Sequence, residues 1–475
     1  MTRGAQATGG DVDVAEAPLL GLARVVPLER PELRCARIDL DPDRPEGEVA
    51  ALVRELLADG PEEEVALRGS RRLVARLSTA PATPRRSAHV APRPDRSYLV
   101  TGGLGALGLA TAQWLAEQGA GRLVLVGRTG ATAERRRAVE ALRARAEVEV
   151  HAADVGSRDA LARILAAVPA DRPLAGVFHA AGALDDALLA DQGPEHLRRA
   201  FAAKVRGAWH LHHLLGERPL DAFVLYGSVA GLIGSVGQAN YAAANAFLAA
   251  LAHHRTATGR PTLCVDFGPV SGGGMARAGH RLAARGARSL TPTQVLSALA
   301  RALRDGEAQA GVVDLDPAAW LAAHPASAGS PRLGAMLPAA PVSAPAWRDQ
   351  LAALPADART GAAEGLLRGE LAPILRCDAA EIADRPFLEL GLDSLTSVEL
   401  RSRLVARTGL ALPVTVLWTH TTPRALAAAL VAELGLAPVA APRAPEPPPD
   451  DVDALMDLHL ARLEALVPDP TEVIR

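Results

Sequence analysis

The sequence predicts an α/β protein, a doubly wound parallel sheet followed by a small all-α bundle. Three observations carry that reading. Between residues 96 and 320, six apolar strand-like runs alternate with helical patterns. The first run leads straight into a glycine-rich turn, TGGLGALG, with a helix after it. Over 359–435 strand signals are lacking and the apolar residues follow a helical repeat.

The six runs are SYLVTGG, GRLVLVGR, EVEVHAADV, LAGVFHAAG, AFVLYGSVA and TLCVDFGP. Ahead of them, residues 1–79 hold one helical stretch near 48–58 and a hairpin pattern, EVALRGSRRLVARL. Three breaks divide the chain: 80–94, the Pro/Ala/Ser-rich 325–345, and the proline-dense 437–449. An amphipathic helix is expected near 452–467, where Val452, Leu455, Met456, His459, Leu460, Leu463 and Leu466 repeat every three or four positions.

With 475 residues the chain has room for several cores, and its formal charge of −3 gives no reason to expect nucleic acid as a partner. Three scattered cysteines, Cys35, Cys264 and Cys377, have no metal-ligand spacing and suit a reducing cytoplasm. No apolar run reaches membrane-spanning length, and no metal site is expected. The 51 basic residues include a single lysine, Lys204.

In the glycine-rich turn, Gly103, Gly105 and Gly108 stand in G-x-G-x-x-G order, the Rossmann-type arrangement that admits a pyrophosphate at a helix N-terminus. Thr101, Gly102 and Leu107 complete the expected cradle; the alternative is a turn whose glycines are needed only for packing. Arg128 closes the next strand, where an acid would hold the ribose of NAD and an arginine suits the extra phosphate of NADP. Asp154 and Val155 stand where an adenine edge would be gripped. The small residues Ala180, Ala181 and Gly182 would let a nicotinamide ribose lie against backbone.

A second group of residues carries proton chemistry. In GQANYAAANAF (237–247), Tyr241 and Asn245 are four apart and share one helix face. Ser228 ends the fifth strand, at the edge of such a sheet that faces ligand. A free tyrosine ionises near pH 10, and a nearby ammonium favours its phenolate. Lys204 is the one lysine able to supply that charge; otherwise it lies by accident on a solvated face.

On these residues, 91–320 resembles a ketoreductase domain of modular polyketide synthases, a branch of the short-chain dehydrogenase/reductases. The superfamily's usual Tyr-x-x-x-Lys is replaced here by Tyr241 with Asn245, the lysine moving upstream to Lys204, which is characteristic of the synthase-embedded branch. The resemblance implies that Tyr241 protonates a ketone oxygen, Ser228 hydrogen-bonds it, Lys204 tunes Tyr241, Asn245 supports a water relay, and NADPH brings the hydride. Leu184-Asp185-Asp186 is similar to the marker of B-type ketoreductases, and Ile233 stands where the A-type carries Trp. A D-configured β-hydroxyl is therefore implied. Ala244, where epimerising B-type members tend to have Pro, implies no epimerisation.

The segment FLELGLDSLTSVELRSRL (387–404) places Ser394 at a helix start, where a serine is most often an N-cap. Its surroundings strongly resemble an acyl carrier protein, which implies 4′-phosphopantetheine on Ser394. With eight arginines against nine acidic residues over 359–435, charge cannot be what delivers the carrier; a flexible tether can.

The expected domains are 1–90, a partial structural subdomain and linker; 91–324, the NADPH-binding ketoreductase; 325–358, a flexible linker; 359–436, the carrier, a four-helix bundle; and 437–475, a spacer with a docking-like helix. The sequence shows no condensing-enzyme cysteine and no G-x-S-x-G elbow, so the expected activity is reduction of a β-ketoacyl thioester held on the chain's own carrier. The alternative is a non-catalytic scaffold; a terminal thioester reductase is disfavoured because such domains follow the carrier and keep Tyr-x-x-x-Lys. The implied partners are upstream and downstream synthase subunits, a phosphopantetheinyl transferase and, through the last helix, a second copy or the next subunit; the alternative for that helix is a tail with no partner.

Overall fold

The protein is described from a computed structural model that covers residues 1–30, 33, 35–80, 91–129, 132–272, 286–324, 327, 329–337, 347–375, 377–410, 412–413 and 415–437. The amphipathic helix expected at 452–467 and nearly all of the proline-dense spacer lie outside the described residues.

Four short strands, β1 (Thr2–Arg3), β2 (Arg37–Leu40), β3 (Glu64–Arg68) and β4 (Arg71–Val74), form an N-terminal sheet in that order. The expected hairpin is β3–β4, turning at Gly69, whose φ of +56° favours glycine. The expected helix is Glu48–Leu57. Strands β1 and β2 and the helices Ala17–Ala23 and Val26–Glu29 had no clear sequence signal because each is only a few residues long.

The main sheet contains all six expected strands: β5 (Ser97–Thr101), β6 (Arg122–Gly127), β7 (Glu147–Ala152), β8 (Leu174–His179), β9 (Ala222–Ser228) and β10 (Leu263–Phe267). A small antiparallel pair, β11 (Ala287–Arg288) and β13 (Asp314–Leu315), lies apart from it. A seventh strand of the main sheet, β12 (Gln309–Val312), was not expected, since QAGV is short and half-exposed. The order is β12-β10-β9-β8-β5-β6-β7, parallel throughout, so the sheet reverses direction of winding between β5 and β8. Period-two alternation fills both faces: Val100, Leu123, Leu125, Phe178 and Val224 pack into one core, while Leu99, Val124, Val177, Phe223 and Leu225 pack into the other.

The helix Ala239–Ala257, with Tyr241 and Asn245, is buried along most of its length because its alanines let neighbours approach. One neighbour is the N-terminal helix Ala17–Ala23. A Cβ on Gly21 would collide with the Ala242 carbonyl and lie 2.8 Å from Ala246 Cβ, so only glycine allows this contact.

Of the flexible tether expected over 325–358, residues 325–326, 328 and 338–346 lie outside the described residues, and part of the rest is packed. Arg332, Leu333 and Leu337 are buried, the two leucines packed beside Trp320. The helix Trp347–Ala352 puts Trp347 and Leu351 into the core of the C-terminal bundle. Hydrophobic burial explains both departures, because these large side chains interrupt an otherwise small-residue stretch. The bundle consists of Arg359–Leu375, Ser394–Thr408, Val416–Thr419 and Pro423–Glu433, with Leu367, Leu371, Leu400, Leu404, Leu426 and Leu430 inside. No helix among the described residues is long and apolar enough to cross a membrane.

Candidate functional site

The site lies at the C-terminal edge of the main sheet, where strands β5, β8 and β9 release their loops. After β5 the chain turns through Gly102, with φ of +66°, and a Cβ there would come within 2.7 Å of the Ala180 carbonyl. A Cβ on Gly108 would strike the Gly102 carbonyl. These two glycines are thus required by packing alone. Gly105 differs: the one atom near its missing Cβ is the Gly102 oxygen at 3.1 Å, and it begins the helix Ala106–Glu117 with no side-chain cap. An uncapped helix start beside an open glycine fits a pyrophosphate, whose oxygens would accept the N–H groups of Ala106, Leu107 and Gly108. Gly103 is buried against Leu125, and Leu107 packs on the core.

Arg128 is exposed just past β6, and Asp154 is exposed just past β7, its Oδ1 accepting the Gly156 N–H at 2.8 Å. Val155 is buried beneath it. Thr101 faces inward: its hydroxyl is 2.7 Å from His179 Nδ1. Burial, aided by the Lys204 charge, lowers the His179 pKa to about 4, so the ring is neutral at neutral pH. Ala180, Ala181 and Gly182 follow, each partly exposed.

Lys204 is nearly fully buried and sits on a single π-helical turn, Ala202–Arg206, inserted between the helices Pro194–Phe201 and Gly207–Leu215. Such turns are frequent at functional sites. The Lys204 ammonium donates to the Tyr226 carbonyl at 2.7 Å and lies 5.2 Å from the centroid of the Tyr241 ring. A Cβ on Gly182 would be 3.2 Å from Lys204 Cε, so this glycine also makes room for the lysine stem. Asn245 donates to the Tyr241 carbonyl at 2.8 Å, and its buried Oδ1 has no hydrogen-bond partner among the described residues. An unpaired buried acceptor is costly unless something else fills it, and a water would. Ser228 follows Tyr226 by two residues; its Oγ accepts the Ala230 N–H at 3.3 Å. The structure therefore brings Lys204, Tyr241, Asn245 and the end of β9 into one buried group.

The Leu184-Asp185-Asp186 loop is stitched to the segment leading into Tyr241. Ala187 N donates to Gly237 O at 2.9 Å, Gln238 Nε2 to Asp186 Oδ1 at 3.2 Å, and Asn240 Nδ2 to the Asp185 carbonyl at 2.9 Å. Sequence reading passed over Gln238 and Asn240, although both stand in the segment that singled out Tyr241. It also passed over His179 and Asp266. Asp266 on β10 is paired in register with Gly227 and accepts Gln309 Nε2 at 2.6 Å. Burial raises its pKa to about 6. A charged residue inside an apolar strand was the available signal.

In the bundle, Ser394 is the first residue of the helix Ser394–Thr408, and the N-cap is Asp393, whose Oδ1 accepts the Thr396 N–H at 2.8 Å. The capping role considered for Ser394 therefore belongs to its neighbour. Among the described residues no group of His, Cys, Asp or Glu could hold a metal ion.

A seven-stranded parallel sheet with a buried Tyr–Lys pair at its ligand edge is the fold of a short-chain dehydrogenase/reductase. The KR domain family matches residues 96–272, the phosphopantetheine attachment site family matches 365–430, and residues 1–77 match the family "Polyketide synthase extender module SpnB, Rossmann fold domain". A solved structure described as an A-type ketoreductase from a modular polyketide synthase is 38% identical with a TM-score of 0.65, covering 71% of each chain. The first ketoreductase of the tylosin synthase is 39% identical with a TM-score of 0.60, covering 70% of this chain and 72% of that one. Polyketide synthase GfsA of Streptomyces halstedii is 40% identical over 90% of this chain, but the match spans 6% of that protein. For the pikromycin synthase component PikAIII of Streptomyces venezuelae the figures are 38%, 98% and 31%. The chain thus spans a minor part of the curated relatives it matches. It belongs to the modular polyketide synthases and carries a ketoreductase domain, of an NADPH-dependent family, together with a phosphopantetheine-bearing carrier domain.

Proposed function

We propose that the chain reduces a β-ketoacyl thioester, presented on its own carrier, to the β-hydroxyacyl thioester. The observation that carries this reading is the buried Lys204 ammonium 5.2 Å from the Tyr241 ring, with its hydrogen bond going to a carbonyl. NADPH, held by the Gly102–Gly108 turn with Arg128 at its 2′-phosphate, Asp154 and Val155 at the adenine and Ala180–Gly182 at the ribose, would supply the hydride. The Tyr241 hydroxyl gives its proton to the substrate oxygen as the carbonyl π-bond breaks, and Ser228 donates a hydrogen bond to that oxygen. Lys204 offsets the negative charge left on Tyr241, and a water on Asn245 Oδ1 returns the proton. No atom of the thioester leaves.

The Leu184-Asp185-Asp186 loop, pinned beside Tyr241 by Gln238 and Asn240, supports a B-type reading with a D-configured hydroxyl. Ser394 would take the phosphopantetheine arm from a transferase. Acyl chains would arrive from and leave to other synthase subunits.

Intact-mass measurement of the chain, loaded through Ser394 with a β-ketoacyl arm, tests the proposal. Adding NADPH is expected to raise the carrier mass by two hydrogens. A loaded carrier of unchanged mass would overturn the proposal and favour a scaffold. Ser394→Ala is expected to abolish loading and leave reduction of a diffusible thioester intact, read by the same mass assay and by NADPH oxidation.

A further inference from the structure

Glu29 ends the short helix Val26–Glu29 of the N-terminal subdomain, yet its carboxylate reaches into the catalytic region. It is 3% exposed. Oε2 accepts the Leu189 N–H at 2.6 Å and Oε1 accepts the Gly237 N–H at 2.7 Å. Leu189 lies just past the Leu184-Asp185-Asp186 loop, and Gly237 opens the segment that carries Tyr241. One carboxylate thus spans the two stretches that the Ala187, Gln238 and Asn240 bonds stitch together from the inside. The same subdomain seats Gly21 on Ala242 and Ala246, and Arg24 donates to the Gly231 carbonyl at 2.6 Å.

The chemistry of the clasp is specific to a carboxylate. Its two oxygens are both acceptors, so it can hold two N–H groups from separate loops at once. A glutamine of equal size turns one acceptor into a donor and sets an N–H against an N–H. We propose that Glu29 is a positioning residue of the reduction: it fixes the stereocontrol loop relative to Tyr241, and so sets the face on which the ketone is offered. This inference rests on the reduction proposed above.

The test compares full-length wild type, Glu29→Gln, Leu189→Pro and Asp39→Asn. Leu189→Pro removes the donor from the other side, at the first position of the Leu189–Asp191 turn, where proline is tolerated. Asp39→Asn weakens the same subdomain elsewhere, since Asp39 holds Thr2, Ala5 and Gln6. Each protein is given NADPH and a diffusible β-ketoacyl thioester. Measured are kcat, KM, the enantiomer ratio of the product, and amide hydrogen exchange over 184–190 and 235–241.

Glu29→Gln and Leu189→Pro are expected to lower kcat/KM about tenfold, the scale of one charge-assisted hydrogen bond, and to release the minor enantiomer. Exchange over both segments should rise together. Asp39→Asn should lower Tm while the enantiomer ratio and both segments stay as in wild type. An unchanged ratio and exchange in the two clasp variants would overturn the proposal, as would Asp39→Asn reproducing their effects. If wild type oxidised no NADPH, the reduction itself would fail, while hydrogen exchange would still judge the clasp.

Discussion

Two buried regions of this molecule hold positive charge in opposite ways. Between the N-terminal subdomain and the ketoreductase, Glu64 is surrounded by Arg24 in a two-pronged pair at 2.8 Å, Arg37 at 3.1 Å and Arg332 at 3.2 Å. Burial alone would raise the Glu64 pKa, but the charges of Arg24, Arg332 and Arg37 outweigh it and hold it far below the usual carboxylate range. At the ligand edge of the sheet, Lys204 has a carbonyl and an aromatic face as its neighbours, and its charge partly offsets the upward push of burial on the Asp266 carboxyl. The first region spends its charge on joining chain segments that are far apart in sequence. The second gives its ammonium a neutral carbonyl rather than a carboxylate as hydrogen-bond partner, beside the Tyr241 ring. The choice of side chain follows: planar arginine for forked pairing, compact lysine for the narrow space between Gly182 and Tyr241.

The largest expected effect is on the second region. Tyr241→Phe should lower kcat by about a thousandfold, within the range for a proton donor, while NADPH binding by fluorescence titration stays intact. Combined with Lys204→Met it should lose little more, because the two side chains act as a unit. Full additivity in that double variant would break the contrast between the regions.

The first region should respond in stability. Glu64→Ala takes the carboxylate from Arg24 and Arg332 and leaves Arg37 with Glu63 alone, and denaturant unfolding is expected to show a loss of about 3–5 kcal/mol. A loss under about 1 kcal/mol would mean that the cluster does not hold the segments together.

Asp266→Asn gives a smaller effect with a defined sign. The folded pKa of about 6 lies above the ordinary 3.8, so the folded state binds the proton more tightly than the unfolded chain. Native Asp266 therefore costs stability increasingly as pH rises from about 4 to about 6, and the full cost applies above that. The variant should be more stable than wild type at pH 7–8 by roughly 3 kcal/mol, and the two should converge near pH 4, as read by Tm against pH. A constant difference across that range would contradict the assignment.

Much of this was legible in the sequence, and the reasons are local. The six main strands announced themselves as apolar runs bounded by glycines, and the glycine turn by its spacing. Lys204 stood out because every other basic residue is arginine. What was not legible depends on distance along the chain. The hydrogen bonds of Glu29 reach Leu189 and Gly237, and Arg332 bonds to the Leu232 carbonyl; no pattern within a window of residues encodes such pairs. The π-helical turn under Lys204 likewise has no signature in FAAKVRGAWHL. Ser394 illustrates a third case: a plausible cap by composition, displaced from that role by the aspartate before it.

The most direct measurement is NADPH oxidation by Lys204→Met in the presence of a β-ketoacyl thioester, run beside thermal unfolding of the same sample. The expected result is a loss of about a hundredfold or more in kcat with the protein still folded at the assay temperature, its Tm lowered only as far as the loss of the Tyr226 hydrogen bond and of the charge facing Asp266 requires. Turnover equal to wild type in a folded Lys204→Met protein would contradict the central role given to that ammonium.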